Sequence, residues 1–91
     1  MASQKKNKSA LNNLGVLYAK GQGISKDEKK AIQYFEQASD LGDTEAMLNL
    51  GDAYLKGMGV KQNVPLAKQY FNKALKNGDL KAKAYLNRIE D

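Results

Sequence analysis

The chain has 91 residues, of which 42% are apolar and 27% charged, and a net charge of +5. That leaves room for one small domain, too apolar to stay disordered, and no apolar run approaches the roughly 18 residues that a membrane-spanning helix needs, so insertion into a bilayer is excluded. With neither cysteine nor histidine, it has no disulfide, no thiolate nucleophile, no zinc site of the usual ligand types and none of the commonest general base.

Residues 1–9 are polar, carry three lysines and are expected to form a flexible N-terminal tail or a weak extension of the first helix. No apolar core follows the lysines, so the segment is not a secretory signal, and a cytoplasmic location is the expectation. A helical pattern starts after Ser9, a candidate N-cap. Ala10, Leu14, Leu17 and Tyr18 share one face, taken here as the buried one. Lys20 suits the negative end of that helix, and Gly21 stops it. The triplets Gly21-Gln22-Gly23 and Gly57-Met58-Gly59 each follow a helix rather than a strand, so they are helix stops and turns, not phosphate cradles.

A second helix is expected from about Asp27 to Leu41, with Asp27 or a capping box of Ser25 and Glu28 at its start. Ala31, Tyr34, Phe35 and Ala38 form its apolar stripe at i, i+3, i+4 and i+7. Gly42 ends it, and Asp43 caps the next helix at once. The third helix is expected over about Thr44 to Lys56. The fourth runs from about Val64 to Asn77, capped by Asn63, with Pro65 in its first turn, where a missing N–H does no harm.

These signals recur because the chain repeats. A shift of 36 residues superposes Ala10, Leu14, Gly15, Tyr18, Gly21 and Gly23 on Ala46, Leu50, Gly51, Tyr54, Gly57 and Gly59. Ala31, Tyr34, Phe35, Ala38, Gly42 and Asp43 fall on Ala67, Tyr70, Phe71, Ala74, Gly78 and Asp79. In all, 15 of 36 positions agree without a gap, far above chance, so the repeat governs the architecture. Gly15 and Gly51 lie mid-helix, where glycine costs about 1 kcal/mol relative to alanine. Their recurrence points to close approach by the aromatics of the following helix. A third copy begins with Ala82 and Leu86, but Asn87 and Glu90 replace its glycine and tyrosine. The last helix, 80–90, therefore reads as a cap with a polar outer side.

The expected fold is all-α: an α/α solenoid of two helix-pair repeats of 36 residues, 10–45 and 46–81, plus a C-terminal capping helix. That makes five helices in one domain spanning 10–91. Residues 10–45 carry −2 and residues 46–81 carry +4, with the lysines scattered rather than forming the stripe of a nucleic-acid binder.

The pattern Ala-x-x-x-Leu-Gly-x-x-Tyr-x-x-Gly-x-Gly, followed by Asp/Asn-x-x-x-Ala-x-x-Tyr-Phe-x-x-Ala-x-x-x-Gly-Asp, resembles the Sel-one-like repeats. These are relatives of the tetratricopeptide repeats with a longer loop between the paired helices. The match covers residues 10–90, and Tyr34 and Tyr70 stand where many members carry tryptophan. The resemblance implies a superhelix whose first helices line a concave surface, and a role as an adaptor or scaffold for other proteins. It also implies an alternative, since some bacterial relatives bind or hydrolyse small or cell-wall-derived ligands. Tetratricopeptide relatives that clamp a C-terminal carboxylate use lysines where this chain has Asn12, Leu48 and Ala84, so such a ligand is disfavoured.

With Leu14 at the centre of the buried face, helical geometry puts Asn13 and Val16 in an arc away from it. The equivalents are Asn49 and Asp52 in the second repeat and Tyr85 and Arg88 on the last helix. These six, Asn13, Val16, Asn49, Asp52, Tyr85 and Arg88, are the candidate partner-binding residues, with Asn49 and Tyr85 expected to be exposed. Asparagine suits hydrogen bonding to a peptide backbone, and tyrosine and arginine are favoured interface anchors.

The function expected is non-catalytic binding of a protein or peptide, with no cofactor and no metal. Self-association through open solenoid ends is a second route to partnership. Catalysis is disfavoured because Ser3, Ser9, Ser25 and Ser39 sit in a tail, a cap, a loop and a surface turn, and Asp27 and Glu28 are sequence neighbours that cannot face each other across a cleft. Nucleic-acid binding through the basic second repeat is also disfavoured, because four of the five tyrosines occupy repeat-core positions rather than a stacking platform.

Overall fold

The structure is a computed structural model that describes residues 3–89. Among these are five helices and no strand: α1 (Ser3–Lys20), α2 (Glu28–Asp40), α3 (Thr44–Lys56), α4 (Val64–Lys76) and α5 (Lys81–Ile89). Each helix packs mainly on the one before it and the one after it. The result is a slab with extents of 40 × 31 × 16 Å.

The boundaries follow from local chemistry. Asp27 Oδ1 accepts from the Lys30 N–H at 3.1 Å and Asn63 Oδ1 from the Leu66 N–H at 3.1 Å, satisfying donors that the first turn leaves orphaned. Asp27, not Ser25, is therefore the cap. Each long loop is latched to the helix before it: the Asp27 N–H donates to the Tyr18 carbonyl, and the Asn63 N–H to the Tyr54 carbonyl. Between repeats the turn is minimal, with Asp43 accepting from the Glu45 N–H and Asp79 from the Lys81 N–H. Lys81 pairs with Glu45, which holds its ammonium above the usual lysine range and ties the start of α5 to that of α3.

Two expectations about the first helix are corrected. The helix starts at Ser3, so Ser9 lies within it and caps nothing. Residues 4–8 are mostly straight-chain side chains that favour a helix, and nothing in them breaks one. Of the two readings of residues 1–9, a tail or an extension of the first helix, the extension holds from Ser3, while Met1 and Ala2 lie outside the described residues. The buried face is also rotated. Ala10 is exposed and Leu14 is 37% exposed, whereas Gly15 and Asn12 are buried and Leu11, Val16 and Ala19 pack on the core. In α3 the expected stripe holds, with Ala46 and Leu50 both fully buried.

The core runs as two adjoining clusters, one around Phe35 and Leu50, the other around Phe71 and Met47. The mid-helix glycines do what their recurrence implies. A Cβ on Gly15 would come within 2.5 Å of Phe35 Cε1, and one on Gly51 within 2.5 Å of Phe71 Cε1. Stacked tyrosines close the loop end of each repeat, Tyr18 on Tyr34 at 5.6 Å and Tyr54 on Tyr70 at 5.8 Å. Burial, with Tyr54 beside it, pushes the Tyr70 hydroxyl up.

Candidate interaction groove

A groove of about 180 Å³ opens between α1 and α3, with α2 as its floor. Val16, Ala19 and Lys20 form the α1 wall, and Asn49, Asp52 and Ala53 the α3 wall. Ala31, Ile32 and Phe35 lie beneath, and Glu28 and Met58 close one end. The groove exists because successive first helices splay apart while both rest on the second helix between them.

One hydrogen bond fixes its α3 wall. Asn49 Nδ2 donates to Asn12 Oδ1 at 2.9 Å, a contact between the two repeats. Asn12 is buried and Asn49 half-buried. The bond uses one amide hydrogen of Asn49 and leaves its carbonyl oxygen and second hydrogen for another partner. Asp52 meets Lys56 at 3.4 Å and Glu28 meets Lys26 at 3.7 Å, both exposed pairs of the kind that contribute little stability.

The six sequence-derived positions separate. Val16, Asn49 and Asp52 come together on the groove. Asn13 is exposed but does not line it, because the neighbouring Asn12 is the residue turned inward. Tyr85 and Arg88 border a shallower depression at the far end, with Lys81 and Ala84. Tyr85 is also half-buried, contrary to expectation, because its ring stacks on Phe71 with centroids 4.9 Å apart. Its loss would disturb the core as well as the surface, so it is not a clean probe of binding.

Sequence reasoning missed the floor. Ala31 and Phe35, expected only as part of the core stripe, also face the groove, and Ile32, to which the helical pattern gave no role, lies beside them. A signal was present: position 49 holds a small amide where the equivalent position 85 holds a ring. Ser39 is a further correction. It lies in α2 rather than on a surface turn, is buried, and its Oγ has no hydrogen-bond partner. It borders the opposite face, where Glu36, Asp40, Leu50, Tyr70 and Lys73 surround a second depression.

Among the described residues, no three carboxylates come together as a metal site, and no helix is long and apolar enough to cross a membrane.

The sequence model of the Sel1 repeat matches residues 8–43 and 44–79, two consecutive units of the period found above. The chain is similar to a Sel1 repeat protein from Oxalobacter formigenes, with 32% identity and a TM-score of 0.87, covering 98% of this chain and 37% of that one. It is similar to Helicobacter pylori cysteine rich protein B, with 33% identity and a TM-score of 0.81, over 86% of this chain and 59% of that one. It is likewise similar to c5321, a protective antigen present in uropathogenic Escherichia coli strains and displaying an SLR fold. There the identity is 30% and the TM-score 0.87, covering 97% of this chain and 19% of that one. This chain thus spans less than two thirds of each of these longer proteins. No curated protein matches it.

Proposed function

Because the chain belongs to the Sel1 repeat family, whose members generally serve as protein-interaction scaffolds, we propose that it is a non-catalytic interaction module that binds a segment of another protein in the groove between α1 and α3. The observation that carries this is the make-up of the groove: an apolar floor of Ala31, Ile32 and Phe35 between walls that present Asn49, Asp52, Lys20 and Glu28. A floor of that kind gives affinity by excluding water from an apolar side chain, and the polar walls fix the register of the backbone. Asn49 suits the second task, being held in place by Asn12 with donor and acceptor capacity to spare.

The test is to select binders from a displayed random-peptide library and map them by backbone amide chemical shifts. Shifts are expected at Val16, Asn49 and Asp52, and Asn49→Ala should weaken binding by about 1 kcal/mol or more. Shifts clustered at Glu36 and Lys73, with Asn49→Ala silent, would move the site to the opposite face.

A further inference from the structure

The chain holds two notches between successive first helices, built from equivalent residues, and one is filled where the other is open. Between α3 and α5, the ring of Tyr85 lies on Phe71 with planes 13° from parallel, and Phe71 is fully buried. Thirty-six residues earlier, Phe35 stands for Phe71 and Asn49 for Tyr85. The two phenylalanines hold nearly the same pose, since each brings Cε1 equally close to its mid-helix glycine. But Asn49 is short and engaged with Asn12, and Phe35 keeps 5% exposure at the floor of the open groove. The volume of about 180 Å³ is enough for a ring, since an engineered apolar cavity of about 150 Å³ admits benzene.

The notches also differ in charge. Lys20, Glu28 and Asp52 line the first, and their counterparts by the repeat are Lys56, Val64 and Arg88. The open notch therefore carries two carboxylates where the filled one carries an apolar residue and a cation. Both carboxylates have only exposed, weakly held lysine partners, which a ligand cation can displace.

We propose that the groove is a socket for an aromatic side chain of a partner protein segment, stacked on Phe35 as Tyr85 stacks on Phe71, with a lysine or arginine beside that aromatic residue reaching Glu28 and Asp52. This rests on the assignment of the groove as the peptide site and names what it selects. Aromatic stacking supplies an attraction beyond simple area burial, and the flanking cation supplies charge complementarity and register.

The first probe is p-cresol, the tyrosine side chain alone, titrated into the wild-type protein with methyl groups observed by NMR. Saturable ring-current shifts are expected at Val16, Ala31, Ile32 and Ala53, with Ala67 and Ala74 unmoved. The second is a blocked Gly-Lys-Tyr-Lys-Gly peptide: replacing its tyrosine by alanine should weaken binding at least about tenfold, and replacing its lysines by glutamate several-fold. The third is the double variant Asn12→Leu with Asn49→Tyr, which copies the Leu48 and Tyr85 of the filled notch. It should raise Tm and abolish p-cresol binding. Should that variant fail to fold, the wild-type titrations decide alone. Unmoved methyls at saturating p-cresol, or equal affinity of the tyrosine and alanine peptides, would overturn the socket. If library peptides still shift Asn49 and Asp52 in that case, the groove keeps its assignment and only the aromatic preference falls. If none does, both fall.

Discussion

Leu14 and Leu50 occupy the same position of the repeat, yet one is 37% exposed and the other fully buried. Leu50 has α2 lying over it, while α1 has no helix before it among the described residues. Gly23 and Gly59 differ in the same way. A Cβ on Gly59 would come within 2.7 Å of the Glu28 carbonyl oxygen, because the second loop rests on the start of α2, whereas one on Gly23 would meet nothing. The lesson is that a residue's energetic role in such an array is set by whichever neighbouring unit covers it. The two repeats brace each other at their shared seam, and among the described residues only the outer side of α1 has no helix against it.

The largest consequence falls on the phenylalanines. Phe71→Ala should cost about 3–5 kcal/mol in urea unfolding, the usual loss for a buried phenylalanine, and Phe35→Ala less, since its ring already borders open space. Equal losses would show that the groove is closed in solution. Next come the leucines: Leu50→Ala should cost about 2–5 kcal/mol and Leu14→Ala under about 1 kcal/mol. A large loss at Leu14 would mean that something covers it, and its dependence on protein concentration would reveal whether that is a second copy.

The glycines give a smaller difference. Both have a left-handed backbone, at φ +77°, so alanine costs about 1–2 kcal/mol at either. Gly59→Ala should exceed Gly23→Ala by about 1–3 kcal/mol, the cost of overpacking against a carbonyl that cannot step aside. Matching losses would dissolve the contact between the second loop and α2. The smallest effect reverses the sign. Ser39 stands where the second repeat has Leu75, and its hydroxyl is buried without a partner. Ser39→Ala should stabilise by about 1 kcal/mol, and a loss instead would show that Oγ is hydrogen-bonded in solution.

Much of the fold was legible because its signals are local. Asp27, Asp43 and Asn63 act as caps through their own first turns, and Gly57 and Gly78 as stops through their own dihedral angles, so position in the sequence suffices to find them. Even the clash that keeps Gly15 and Gly51 was visible, since it recurs with the period. What escaped depends on neighbours that no single-helix projection contains. Leu14 belongs to an apolar stripe that, in α1, no preceding helix covers among the described residues. Asn12 is buried because Asn49 of the next repeat bonds to it, and Tyr85 is half-buried because Phe71 offers a ring. The candidate groove was correspondingly half legible. Its walls at Val16, Asn49 and Asp52 follow from helical phase, while its floor at Phe35 follows only from how far apart α1 and α3 stand.

The sequential packing, with each helix resting mainly on its immediate neighbours, also governs how the chain reaches this state. Packing is mainly between elements adjacent in the chain, so little loop entropy opposes each step, and folding should be fast for its size. The latches from Asp27 to Tyr18 and from Asn63 to Tyr54 let either helix pair form first and template the other. Opening then proceeds inward from the ends. Amide exchange should be fastest in α1 and α5, each of which packs chiefly on a single helix, and slowest in α3, the helix that carries both Asn49 and Leu50.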